Sequence, residues 1–266
     1  MTVGELIFIG LGLHDEYGLS LRGQLEARSC DFLFAEFYTS RMPGLSVDGL
    51  ERLVGKKVQV VSRREVEEGA EEIILSKAVT GRVGFLVPGD PLVATTHVDL
   101  RLRALKSGIS SRIIHAGSVV SAAAGVTGLQ SYKFGRTTTI PVSYEGDFPS
   151  SIIRAIVNNL TSGLHSLVLL EIDVESGQFV TIPTALKLLW ANSKNLPGAP
   201  ITDVTLVVGL ARLEAPDMTV RAGKLMDVMR LDFGEPPYLL IFPGKLHFVE
   251  AEALQLICHA PKELVN

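Results

Sequence analysis

Only two cysteines stand in 266 residues, and Cys30 and Cys258 lie far apart, neither in a C-x-x-C nor beside a histidine cluster. That spacing excludes a disulfide framework and a zinc site, and it fits reduced thiols in a reducing compartment. Aromatic residues are scarce, 6% against 47% hydrophobic overall, which is the composition of aliphatic, parallel-sheet α/β proteins. No basic block appears and the net charge is −4, so a nucleic-acid or anionic-membrane partner has no electrostatic support. The six histidines form no H-E-x-x-H and no pair at metal-ligand spacing beside carboxylates, so no metal is expected. No G-x-S-x-G occurs, which argues against an α/β-hydrolase. No nucleophile–base pair stands out either, and a reaction driven by positioning an already activated substrate needs none.

Long apolar runs are also missing. Ile113 to Tyr132 has no Asp, Glu, Lys or Arg, but Gly117, Ser118, Ser121, Thr127 and Gln130 make it too polar for a bilayer. A buried strand end followed by a helix packed through Ala122-Ala123-Ala124 explains it better. The N-terminus runs straight into a strand with acidic Glu5 and no basic region, so no signal peptide is expected. A soluble, cytoplasmic protein without a membrane partner follows.

What is present is alternation. Apolar strands are expected at Glu5–Gly10, Asp31–Ala35, Lys57–Val61, Val83–Val87 and Arg112–His115. Between them lie helical patterns: one capped by Ser20, a long charged one over Glu65–Lys77, and one from Val98 to Lys106. Such alternation means βαβ units and a parallel sheet. After Gly135 the texture changes, with a half-exposed strand at Thr137–Val142 and a helix from Pro149-Ser150 to Leu160. Strands at Ser166–Ile172 and Val204–Leu210 flank a helix over Thr184–Ser193, and Tyr238–Phe242 and Val249–Cys258 form a last strand and helix. Two α/β domains are expected, 1–133 with a mostly parallel sheet and flanking helices, and 134–266 with a mixed sheet. The boundary falls in the turn-rich stretch Tyr132–Arg136, and the cleft between the domains is the default ligand site.

Pro88-Gly89-Asp90-Pro91 breaks the chain between a central strand and a helix, where open α/β sheets place ligands. Glycine permits close backbone approach, proline fixes the turn, and Asp90 supplies one carboxylate. Gly10-Leu11-Gly12-Leu13-His14-Asp15 invites a dinucleotide-binding reading, with Glu36 as its ribose acid. Asp15 stands where the third glycine belongs, so a flat or adenosine-like ligand suits these glycines better. Ser118 opens a helix whose N–H groups suit a carboxylate; with the Asp90 loop it sketches an amphoteric pocket. Pro243-Gly244-Lys245-Leu246-His247 lacks the other residues of a phosphate loop and reads as a turn with an exposed Lys, although Lys245 and His247 could hold a substrate carboxylate. His115 and His165 sit on apolar strands, as satisfied core histidines do. The acidic run Glu65–Glu72 reads as a solvated helix face.

Four strings in this chain resemble one family closely. They are Cys30-Asp31 to Phe37-Tyr38-Thr39-Ser40, Pro88 through His97, Gly128-Leu129 to Phe134-Gly135, and Pro243 to His247 with Val249-Glu250-Ala251-Glu252. Together with Gly10-Leu11-Gly12-Leu13 and the segment from Ser118, they resemble the diphthine synthase family of the tetrapyrrole-methylase (class III methyltransferase-like) fold group, over essentially the whole length. The resemblance implies S-adenosyl-L-methionine as cofactor, leaving S-adenosyl-L-homocysteine. It implies transfer of methyl groups to the amino nitrogen of a histidine in translation elongation factor 2 that already carries an aminocarboxypropyl group. Three transfers give the trimethylammonium form, diphthine, in diphthamide biosynthesis. It further implies a homodimer and cofactor contacts at Leu13, Asp90, Val93, Ser118, Val119, Leu170, Leu213 and Tyr238. These positions read as element ends around one cleft. No general base is nominated. Phe37 or Tyr38 would suit the final ammonium by cation–π contact. Two other readings stay open: a tetrapyrrole methylase, which would need a wide basic pocket, and a non-catalytic sensor, which would bind the cofactor without turnover.

Overall fold

A computed structural model describes residues 4–194 and 201–265. Contacts divide the chain into two units between Val119 and Val120.

The first unit contains β1 (Glu5–Gly10), α1 (Leu21–Ser29), β2 (Phe32–Ala35), α2 (Val47–Val54), β3 (Gln59–Val60), α3 (Arg63–Glu67), α4 (Ser76–Ala78), β4 (Arg82–Val87), α5 (Val98–Lys106) and β5 (Ser110–Ile114). Its strands pair in parallel in the order β3-β2-β4-β1-β5, so β1 and β4 are central and their sequences are apolar without alternation. Both faces are covered. Leu6 and Phe8 of β1 join Phe85, Ile74 and Leu100 in one core, whereas Ile7 and Ile9 join Ala27, Leu50 and Leu86 in another. The strand's two-residue period thus feeds helices on both sides of the sheet.

The second unit contains α6 (Val119–Thr127, beginning at the division), β6 (Thr138–Ile140), α7 (Ser150–Thr161), β7 (Ser166–Leu170), β8 (Ile172–Asp173), β9 (Gln178–Phe179), α8 (Ile182–Ser193), β10 (Leu206–Ala211), β11 (Thr219–Lys224), α9 (Leu225–Val228), β12 (Tyr238–Phe242) and α10 (Phe248–Leu256). The sheet order is β11-β10-β12-β7-β6, antiparallel except for the parallel β6–β7 pair, which is the expected mixed sheet. Ile152, Ile156, Leu186 and Leu189 of the helices α7 and α8 pack on Val168, Leu240 and Phe242 in its core.

Three differences from the sequence reading have local causes. The helix expected over Glu65–Lys77 is interrupted: α3 ends at Glu67, and a π-helical turn over Glu71–Leu75 follows Gly69 before α4. The short α2 was not anticipated, although Ser46 caps its start and left-handed Gly55 its end. The contact division falls in the first turn of α6, between Val119 and Val120, whereas the boundary was expected at Tyr132–Arg136, a stretch bound within the second unit. Glu250 accepts from Gln130 N–H at 2.9 Å and from Lys133, and His165 N–H donates to the Lys133 carbonyl at 2.8 Å.

Among the described residues no helix is long and apolar enough to cross a membrane, and no group of His, Cys, Asp and Glu could hold a metal ion. Both cysteines are free and buried.

Candidate functional site

The loops after β1 and β4 meet backbone to backbone. Gly12 N–H donates to the Gly89 carbonyl at 3.3 Å, and Gly89 N–H donates to the Gly12 carbonyl at 2.7 Å. Both glycines are left-handed, with φ of +82° and +71°. A Cβ on Gly12 would lie 2.9 Å from Gly18 backbone, so that turn requires glycine. Gly89 differs: the nearest atom to its absent Cβ is the Gly117 carbonyl at 3.9 Å, which leaves room for a ligand against the backbone.

Asp90 follows with its side chain 9% exposed, and Oδ2 accepts from His115 Nδ1 at 2.7 Å. Val93 turns back through N–H to the Asp90 carbonyl at 3.2 Å, and its side chain is exposed. The loop is anchored from below by His97, whose Nδ1 donates to the Pro91 carbonyl at 3.2 Å. That fixes Nε2 as an acceptor for the Tyr38 hydroxyl, also at 3.2 Å. Burial pushes His97 down to about 4, and the Arg63 charge acts the same way against the Pro91 hydrogen bond. Ser118 and Val119 follow β5 after a three-residue link, where α6 begins. The structure therefore gathers Leu13, Asp90, Val93, Ser118 and Val119 at the carboxyl ends of β1, β4 and β5, the ligand-binding edge of parallel sheets.

In the second unit, Leu170 ends β7, Tyr238 begins β12, and Leu213 follows β10. Register places them together: Leu239 pairs with Leu169, and Ala211 with Tyr238. Buried Arg212 holds the turn before Leu213, donating to Asp217 at 2.7 Å and to the Phe233 carbonyl at 2.6 Å. Leu170, Leu213 and Tyr238 are all buried, and the Tyr238 ring lies 6.1 Å from Phe179.

Several residues turn out otherwise than expected. His115 is no core histidine: its side chain is 73% exposed. His165, by contrast, is the satisfied core histidine expected: it is fully buried, bonded to Glu250 at 2.9 Å and accepting from Gly244 N–H at 2.9 Å. Tyr38 offers no open ring, since it is buried with the Arg63 guanidinium 5.2 Å from its centroid. Glu36 is not placed for a ribose; it is wholly buried, and its oxygens accept from Thr39 Oγ1 at 2.5 Å and from Tyr38 and Thr39 N–H at 3.0 Å. Burial, outweighing those bonds, lifts its carboxyl to about 7. His247 caps α10, accepting from Val249 N–H at 3.3 Å, while Lys245 is exposed.

The loops fit an adenosine-bearing amino-acid cofactor on two observations. Gly89 leaves open backbone where a side chain would stand. His14 Nδ1, next to Leu13, is buried without a hydrogen-bond partner among the described residues. Apolar Leu13 and Val93 supply the flat contacts that such a ligand also needs.

Two α/β units, with glycine-lined loops at the carboxyl edge of the first sheet, describe one class of methylase. Residues 5–206 match the family model of the tetrapyrrole (corrin/porphyrin) methylases, and the chain belongs to that family. Within it the similarity is to diphthine synthases. The chain is 44% identical to the diphthine synthase of Methanosarcina mazei over 266 residues, 98% of each protein. It is 43% identical to that of Methanothermobacter thermautotrophicus over 261 residues, again 98% of each. A crystal structure of diphthine synthase superposes with a TM-score of 0.88 at 32% identity, covering 98% of both chains.

Proposed function

We propose that this chain is an S-adenosylmethionine-dependent methyltransferase of diphthamide biosynthesis. It methylates the amino nitrogen of the aminocarboxypropyl-modified histidine of translation elongation factor 2, three times, to give diphthine. The observation that carries this reading is similarity to diphthine synthases along the full length, 44% identity across 98% of the chain. It includes the Pro88–His97 loop, whose backbone is anchored for ligand approach.

When bound, S-adenosylmethionine supplies an electrophilic methyl on a sulfonium, so the protein's task is to position an unprotonated amine. Leu13, Asp90, Val93, Ser118 and Val119 of the first unit, with Leu170, Leu213 and Tyr238 of the second, are proposed to contact the cofactor. Gly89 admits it against the backbone, and His97 holds the Pro91 carbonyl so that Asp90 and Val93 stay in register. The apolar side chains exclude water. The reading extends to a cytoplasmic homodimer that binds no nucleic acid, which light scattering and a nucleic-acid binding assay test.

The deciding experiment transfers labelled methyl from S-adenosylmethionine to elongation factor 2 carrying the aminocarboxypropyl group, beside unmodified factor and a porphyrinogen. Label on the modified factor alone, with a mass gain of three methyls, is expected. Label on the porphyrinogen overturns the substrate, and binding without transfer to any acceptor overturns the enzyme.

A further inference from the structure

Asp90 and His115 follow strands that are not neighbours: β1 lies between β4 and β5. They meet because β1 ends in glycine. A Cβ on Gly10 would stand 2.6 Å from the Gly89 carbonyl, 2.7 Å from Ala116 Cβ and 3.0 Å from Pro91 Cδ. Any side chain there would force the two segments apart. Their closure over β1 brings His115 Nδ1 to 2.7 Å from Asp90 Oδ2.

The two partners differ in exposure, with the carboxyl at 9% and the imidazole at 73%. A buried carboxylate that accepts from Nδ1–H sets the tautomer of the neutral ring and leaves its lone pair on Nε2. This is the geometry by which a carboxylate orients a histidine base. Asp90 is the charged group that pairs with His115 among the described residues. On β5, just before His115, Arg112 is engaged with Glu5 at 2.5 Å and Glu26 at 2.9 Å, and in the β1 loop His14 and Asp15 lie 3.9 Å from each other.

We propose that His115 is the proton acceptor for the substrate amine, with Asp90 as its positioning residue. The inference rests on the methyltransferase reading above and supplies the base that no sequence motif nominated. The acceptor amine is largely an ammonium near neutral pH and has no lone pair until one N–H bond breaks. The proton passes to Nε2 and the bonding pair stays on nitrogen. That pair forms the new N–C bond, and the pair of the broken C–S bond returns to sulfur, leaving a neutral thioether. The imidazolium releases its proton to water before the next round. Three rounds release three protons, as conversion of an ammonium to a trimethylammonium requires.

The test compares wild type with His115→Ala in single-turnover methyl transfer across the neutral to alkaline range, with and without added imidazole. Calorimetric titration with S-adenosylhomocysteine runs in parallel. Nitrogen NMR reads the His115 tautomer in wild type and in Asp90→Ala. Expected are a rate about 100-fold lower in His115→Ala at neutral pH, an acidic limb moved up to the ionisation of the substrate amine itself so that the deficit narrows at alkaline pH, and partial rescue by imidazole. Product affinity should stay within about threefold. The ring should be the Nδ1–H tautomer in wild type and shift towards Nε2–H in Asp90→Ala. A rate within about threefold of wild type, or equal losses of rate and affinity, overturns the proposal while leaving the methyltransferase reading intact. Wild type that transfers no methyl overturns both.

Discussion

Glu36 and Glu250 are both fully buried, one in each unit, and they respond to burial in opposite ways. Glu36 is surrounded by neutral donors, two N–H groups and the Thr39 hydroxyl, and its carboxyl rises to about 7 because burial dominates. His97 Nε2, 3.7 Å away, is itself kept neutral by burial, and the Arg63 charge pulls the carboxyl down less than those hydrogen bonds do. Glu250 is equally hidden from solvent but less deeply enclosed, and Lys133, the N–H groups of His247 and Gln130, and His165 overcome its burial and hold the carboxyl down at about 2. It also sits in the first turn of α10, where the helix dipole favours an anion. A contacting cation in a shallower enclosure keeps one buried carboxylate ionised, whereas hydrogen bonds and the more remote Arg63 charge do not offset the deeper enclosure of the other. The consequences differ too. The ionic cluster fastens residues 130–133 to α10, whereas the neutral Glu36–Tyr38–His97 network lies beneath the Asp90 loop.

Glu250→Gln should have the largest effect, because it leaves Lys133 and His165 without their anion. A loss of about 3–5 kcal/mol at neutral pH is expected from urea unfolding. The wild type's Glu250 contribution should be complete above the ordinary carboxylate value of 4.5 and vanish as pH falls towards about 2, a decline that the variant lacks. Glu36→Gln should act with the opposite sign. A carboxyl raised to about 7 keeps its proton in the folded state, so wild-type stability falls as pH rises from 4.5 to about 7. Relative to wild type the variant should gain up to about 3 kcal/mol over that interval.

His97→Gln sharpens the same contrast from the basic side. Its ring, held down to about 4, resists the proton that the unfolded chain takes up below 6.5, so stability is lost as pH falls through that range. The variant should remove that loss, about 3 kcal/mol, and uncover the opposing slope from Glu36. The smallest effect concerns the thiols, where burial acts without an ionic partner in contact. It raises Cys30 to about 11 and Cys258 to about 12, so neither should react with a thiol reagent until denaturant is added. Rapid labelling of the folded protein would show that burial is weaker than the carboxylate contrast requires.

Legibility followed range along the chain. The central strands β1, β4 and β12 announced themselves because strands buried on both faces, or deep in a core, are continuous apolar runs. The edge strand β11 was missed: exposed Arg221 and its glycine break the run, and its identity comes from pairing with β10. The Pro88–His97 loop was visible through its prolines and glycine. The Asp90–His115 pair was not, since a missing side chain at Gly10 allows it and no local pattern records what an absent Cβ permits. Glu36 and His97 likewise carried no sign of meeting, being 61 residues apart and joined only through parallel pairing of β2 and β4.

The central claim is that the loops ending β1, β4 and β5 bind the cofactor, and a crystal structure with S-adenosylhomocysteine tests it most directly. The expected result is ligand density against the open face of Gly89 and in contact with Leu13, Asp90, Val93 and Ser118. Density elsewhere in the molecule, with those loops untouched, would contradict it.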